Sequence, residues 1–362
     1  MSFGKAFLGL SFLAGLQAVQ AGIDLSSSQN VAVYWGQNSL GQSNGPNVQQ
    51  RLSYYCENSD IDVFQLSFVT RINGAGGVPE VNFANAGDNC TKFDGTQLLN
   101  CPEIGADIKK CQSKGKTILL SIGGATYNEG GFSSESAAVA GAEMIWKTFG
   151  PVPSDKNVKR PFGDAVVDGF DFDFEAVVNN MPAFGNKLRD YFAADTSKKY
   201  YLTAAPQCVF PDAADHEMLD GAVYFDAIWV QFYNNWCGVQ NFVPGSETQN
   251  AFNFATWDDW AHKSSKNKNV KVFIGVPANQ GAAGSGYVPV STLKTIIDYV
   301  KRFSSFGGIM MWDASQAYAN NGFISGVAAA LGGSSTPGNP STTTSASTPT
   351  TLTTTTSAAL LT

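Results

Sequence analysis

Residues 168–175 read DGFDFDFE and place an acid at every second position, Asp171, Asp173 and Glu175, with Phe170, Phe172 and Phe174 between them. A period of two is what a β-strand imposes on its side chains, so one face of this segment is acidic and the other aromatic. The aromatic face must be buried against other apolar groups. Solvent-facing acids would suit an antiparallel sheet, but the neighbouring apolar runs read as parallel strands buried on both faces. The carboxylates are therefore expected to face an enclosed centre.

Those runs are VAVYWG (31–36), VFQLSFV (63–69), TILLSIGG (117–124), GFDFDFE (169–175), YYLTAAPQ (200–207), AIWVQFYN (227–234), KVFIGVPA (271–278) and GGIMMWDA (307–314), eight in all. Their spacing leaves room for a helix between successive runs, as parallel strands require. The fold class expected is α/β, a single (β/α)8 TIM barrel whose reactive groups gather at the carboxyl ends of the strands. Tyr34, Asp173, Glu175, Gln207, Gln231, Tyr233 and Trp312 all fall late in their runs. A doubly wound open sheet is the competing architecture, but YWGQNSLGQSNG after the first run lacks GxGxxG spacing. On the fourth barrel strand the phenylalanines would pack against helices, so Asp171, Asp173 and Glu175 point inward and upward. Crowded like charges raise one another's pKa, and such acids titrate as a coupled group with one member protonated near neutral pH.

The remainder of the 362-residue chain constrains the setting. Residues 1–21 carry one Lys, an apolar run, and Val19 and Ala21 at the −3 and −1 positions of a cleavage site, which reads as a secretory signal peptide. Residues 22–332 form the expected catalytic domain, and 333–362 collapse into Ser, Thr and Pro, a disordered, O-glycosylated stalk or linker by composition. Secretion makes the six cysteines disulfide candidates. Cys208 and Cys237 each follow an apolar run and suit a bridge between neighbouring loops; Cys90 and Cys101 would close a short loop, leaving Cys56 with Cys111. Asn89, in NCT, is the only N-glycosylation sequon. The two histidines, His216 and His262, lie far from any second ligand, so no metal and no cofactor is expected. A net charge of −7 offers no basic patch for a nucleic acid; a membrane anchor is the alternative for residues 1–21, but that run is short and broken by Ser11 and Gln17, and no later segment is long and apolar enough to span a membrane. An extracellular monomer acting on a neutral polymer fits these features, the cell wall being one destination.

Poised carboxyl groups suit glycoside hydrolysis, where most enzymes place two of them on opposite faces of the scissile bond. Asp173 and Glu175, two residues apart on one strand, approach from the same side. Asp313 is the nearest further acid, but it alternates with Trp312 and faces away if the indole faces the pocket. The missing nucleophile is then supplied by the substrate: a sugar bearing a 2-acetamido group can attack its own anomeric carbon through the amide oxygen.

The motifs YWGQN, LSIGG, DGFDFDFE, LTAAPQC, WVQFYNN and GSGYVP, in order across residues 29–331, resemble the plant-type and fungal class III chitinases of glycoside hydrolase family 18. The resemblance implies an endochitinase that cuts internal β-1,4 bonds of N-acetylglucosamine polymers with retention, through an oxazolinium intermediate, its partner being chitin or chito-oligosaccharides. It implies that Glu175 is the acid and base, that Asp173 holds the acetamido N–H, that Asp171 shares a proton with Asp173, and that Tyr233 aims the acetamido carbonyl. Trp312 would form the floor under the distorted sugar, and Tyr34, Gln37, Gln231 and Asn234 would contact sugar. Asp168 reads as a strand-start residue, and Trp257 and Trp260 as packing. A catalytically weak, lectin-like chitin binder or inhibitor on the same fold, and an endo-β-N-acetylglucosaminidase acting on N-glycans, are the alternatives.

Overall fold

All eight apolar runs form strands: β1 (Asn30–Trp35), β2 (Val63–Arg71), β3 (Thr117–Gly123), β4 (Gly169–Asp173), β5 (Tyr201–Ala204), β6 (Ala227–Gln231), β7 (Lys271–Pro277) and β8 (Phe306–Trp312). The computed structural model describes residues 22–332; the expected signal segment and the Ser/Thr/Pro-rich stretch lie outside the described residues. Each strand pairs in parallel with the next, and β8 pairs back with β1, so the sheet closes into the expected (β/α)8 barrel.

The alternation along the strands divides the core in two. Ala32, Tyr34, Val63, Leu119, Trp229, Phe273 and Met310 form a buried cluster inside the barrel. Phe170, Phe172 and Phe174 belong to the larger apolar layer between strands and helices, where Phe172 packs on Phe184 and Phe225. The acidic face of β4 is thereby turned inward.

The outer layer comprises α1 (Leu52–Tyr55), α2 (Pro102–Ser113), α3 (Glu135–Phe149), α4 (Met181–Ala194), α5 (His216–Leu219), α6 (Phe254–Lys263), α7 (Val290–Val300), α8 (Ala314–Ala319) and α9 (Phe323–Leu331). The long ones are amphipathic: α7 buries Leu293, Ile296, Ile297 and Val300, the i, i+3, i+4, i+7 spacing of one helix face. In α6, Trp257 and Trp260 are buried, with their indole N–H groups on the Cys208 and Leu219 carbonyls. Not every connection is a full helix. α1 and α5 are four residues each; the first connection is rich in Gly and Asn and the second in Asp and Pro, residues that favour turns. Between β2 and β3 the chain adds Glu80–Val81, antiparallel to β2, and a small ladder of Thr91–Lys92 with Leu99–Asn100.

Disulfides join Cys56 to Cys111, Cys90 to Cys101 and Cys208 to Cys237. Asn89 and Thr91 of the sequon are exposed. Among the described residues no group of three or more His, Cys, Asp or Glu is placed to hold a metal ion, and no helix is long and apolar enough to cross a membrane.

Candidate active site

β4 ends its ladder at Asp173, whose carbonyl accepts the Gly124 N–H at 2.7 Å. The residue before it, Gly123, has φ +124°, and a Cβ there would come within 2.3 Å of that carbonyl oxygen, so only glycine lets β3 close on β4 at this height. The chain then leaves the sheet. Glu175 accordingly stands past the strand end at the mouth of the barrel, whereas Asp171 and Asp173 lie within the strand.

Asp171 is wholly buried and accepts four hydrogen bonds: from Tyr34 Oη (2.6 Å) and Ser121 Oγ (2.7 Å) on Oδ2, and from Thr203 Oγ1 (2.7 Å) and Trp229 Nε1 (2.9 Å) on Oδ1. The donors come from β1, β3, β5 and β6, all inward positions that only barrel closure brings together. Burial raises its pKa, opposed by these four bonds. With every acceptor position filled it is held as an acceptor, and passing a proton to it requires a donor to turn away.

Asp173 sits above it, almost fully buried, with Oδ1 accepting from Gln231 Nε2 at 2.9 Å. Its pKa is raised well above the carboxylate range, first by burial and then by the charges of Glu175, Asp171 and Asp212. Glu175 is solvent-accessible at the mouth yet low enough in the cleft that partial desolvation raises its pKa too. Two adjacent carboxyl groups that resist ionising keep a proton available between them.

These acids line a cavity of about 380 Å³ with Tyr34, Ala125, Gln207, Gln231, Tyr233, Asn234, Asn235, Ala282 and Trp312. Among the described residues the only carboxyl groups in its lining are those of Asp173 and Glu175. Tyr233 follows β6; burial and the charges of Asp173 and Glu175 push its phenol pKa well up, so it remains a neutral donor. Gly286 lies against it, at φ +108°, where a Cβ would come within 2.5 Å of the Tyr233 Cβ. Trp312 at the end of β8 packs on Tyr34 and Phe68, with centroids 5.5 and 6.0 Å away, and turns its remaining surface to the cavity.

Not all the expected sugar contacts are disposed alike. The Tyr34 ring lines the cavity, but its hydroxyl is committed to Asp171. Gln231 bonds Asp173 and the Ala205 carbonyl, and Asn234 Oδ1 accepts from Ser285 N–H. Gln37 is outside the cavity lining: its Nε2 donates to the carbonyls of Gly36, Ser67 and Asn82, tying the β1 loop to the middle of β2 and to the residue that follows the short strand beside it. Asp313 caps α8 through the Gln316 N–H and holds the β1 loop through Ser39 N–H, so it does not enter the cavity. Asp168 lies at the opposite end of β4, bound to Lys198, Gln112 and the Ile118 N–H.

Three residues escape the sequence reading. Asn235 lines the cavity and donates from Nδ2 to Gln207 Oε1 at 3.1 Å. Asp212 accepts the N–H groups of Gln207, Ala214 and Asp215, which shapes the loop after β5. Asp215 is fully buried with no hydrogen-bond partner on either oxygen, and burial raises its pKa well above the usual range. The doubled Asn of YNN was a signal for the first; the two aspartates lie in a turn, where no alternation indicates direction.

The family model described as glycosyl hydrolases family 18 matches residues 30–286. A class III chitinase of Arthroderma benhamiae is 54% identical over 323 residues, covering 89% of this chain and 91% of its own. Endochitinase 33 of Trichoderma harzianum is 53% identical over 322 residues, covering 89% and 97%. Among solved structures, a xylanase and α-amylase inhibitor protein of Scadoxus multiflorus superposes with a TM-score of 0.66 at 30% identity, over 84% of this chain and 98% of its own. The chain belongs to glycosyl hydrolase family 18.

Proposed function

We propose that the protein is an endochitinase that cleaves internal β-1,4 bonds of N-acetylglucosamine polymers with retention, using the substrate's own acetamido oxygen as nucleophile. One observation carries the reading: among the described residues the only acids in the cavity lining, Asp173 and Glu175, issue from one strand end, and none of these residues brings a carboxylate to the opposite face of a sugar. The two relatives named above as chitinases support the choice of polymer.

Glu175 gives its proton to the glycosidic oxygen as the bond to the anomeric carbon breaks, and the acetamido carbonyl oxygen closes on that carbon to form an oxazolinium ring. Asp173 holds the acetamido N–H and balances the positive charge, Asp171 beneath sets the charge of Asp173, and the Tyr233 hydroxyl orients the carbonyl for attack. Glu175, now ionised, takes a proton from water, which reopens the ring from the face the leaving group left. Trp312 supports the apolar face of the reacting sugar. The protein works as a monomer outside the cell, and the three disulfides support the extracellular part of this reading, since oxidising compartments retain them.

The test is incubation with chitin oligosaccharides, with product lengths and first-formed anomer followed by NMR. β-Anomers from an internal cut are expected; α-anomers at the outset mean an inverting route. The likeness to an inhibitor favours one second reading, a sugar-binding protein without turnover. Binding without any product in the same incubation would establish that reading instead.

A further inference from the structure

The chain has seven tryptophans, and six have evident places. Trp35, Trp229, Trp257 and Trp260 are buried with their N–H groups bound, Trp146 stacks on Tyr191 at 5.6 Å, and Trp312 lines the cavity. Trp236 differs. It is 57% exposed, the most exposed aromatic side chain among the large apolar residues of the surface, and among the described residues its indole has no ring partner.

Nor is it on a loose segment. Asn234 and Asn235, the two residues before it, line the catalytic cavity, and Cys237, the residue after it, is bridged to Cys208. Asn234 N–H bonds the Ser285 carbonyl, the Asn235 carbonyl accepts from Gly238 N–H and Gln240 Nε2, and the Trp236 carbonyl accepts from Asn241 Nδ2 at 2.8 Å. The backbone on both sides of the indole is thus tied down, and a large apolar ring is held facing solvent beside the cavity at the hydrophobic cost of that exposure. Its neighbours Asn235, Gln240 and Asn241 are amides, which hydrogen-bond sugar hydroxyls and interrupt any broad apolar patch of the kind a protein partner needs.

The cavity itself, about 380 Å³, is at the small end of ligand sites, so a polymer entering it must continue across the rim. Pyranose rings present apolar C–H faces that an indole face complements. We propose that Trp236 is a platform on which sugar units outside the catalytic cavity stack, making it a residue that sets chain-length preference. The inference rests on the carbohydrate substrate proposed above.

It is tested by the ratio of kcat/KM on a chitin hexasaccharide to that on a chromogenic disaccharide, which is insensitive to the fraction of correctly folded enzyme. In Trp236→Ala the ratio falls about fivefold to tenfold, through KM of the hexasaccharide, and Trp236→Phe restores most of it. A ratio equal to that of the unsubstituted protein overturns the proposal. Should the unsubstituted protein cleave neither substrate, the proposed reaction fails, and calorimetric binding of the hexasaccharide judges the platform alone: about fivefold to tenfold weaker binding in Trp236→Ala sustains it, and an unchanged Kd removes it.

Discussion

Tyr34 donates its phenolic hydrogen to Asp171 Oδ2 at 2.6 Å, across the inside of the barrel and between residues 137 positions apart. With Ser121, Thr203 and Trp229 it completes the set of donors that holds Asp171 as an acceptor, so the proton of the acid group stays with Asp173 and Glu175. Tyr34→Phe deletes one bond that lowers the Asp171 pKa, which then rises. Asp171 competes for the proton at higher pH, and the acid limb of the kcat/KM profile moves upward. The fold should lose about 1–3 kcal/mol, the usual loss for a hydrogen bond to a buried charge. An acid limb that stays in place contradicts this role.

Glu175→Gln keeps the size and polarity of the side chain but cannot deliver a proton. kcat is expected to drop by about 10²–10⁴, with oligosaccharide binding and melting temperature retained. In the unsubstituted protein, desolvation raises the Glu175 pKa above its ordinary 4.5, so the acid form survives to higher pH. Activity is then lost as pH climbs through the raised value. A pH profile whose alkaline limb falls at or below the ordinary value excludes Glu175 as the acid.

The Tyr233 side chain is buried as a ring, and among the described residues its hydroxyl has no hydrogen-bond partner. Tyr233→Phe should therefore leave the melting temperature within about 2 °C, since no partner is orphaned. Turnover should fall by about tenfold to a hundredfold, the loss of one aimed donor. A large drop in stability with little change in kcat would assign Tyr233 to packing.

At the far end of the barrel, Asp62 accepts the Val31 N–H at 2.8 Å. Burial raises its pKa from 3.8 to about 6. The native state therefore binds this proton more tightly than the unfolded chain, so the contribution is fully present below about pH 4 and declines as pH rises to about 6. Asp62→Asn keeps an acceptor and removes the titration. It should gain at most about 3 kcal/mol at pH 7, less to the extent that solvent screens the group, and well under about 1 kcal/mol at pH 4. Denaturant melts at the two pH values check this; equal effects at both would contradict it.

Much of the site was legible because a two-residue period carries direction. The side chains of DGFDFDFE could be assigned to inside and outside without a structure, and so could the late residues Gln231 and Trp312 of their strands. Where the strands stop, that information stops. Gln37 reads as a sugar contact but ties three carbonyls together, and Asn235 gains its partner Gln207 only because the loops after β5 and β6 meet across the Cys208–Cys237 bridge.

The chain by itself determined the eight strands, their closed parallel order and the acids that face inward, because alternation and spacing are local properties. Tertiary closure alone decided which donors surround Asp171, that Glu175 stands beyond its strand, that Asp212 and Asp215 approach the site, and that Trp236 is left uncovered. Each of those depends on groups far apart in sequence arriving at one place, and a hydrogen bond or a buried charge has its energy only when they do.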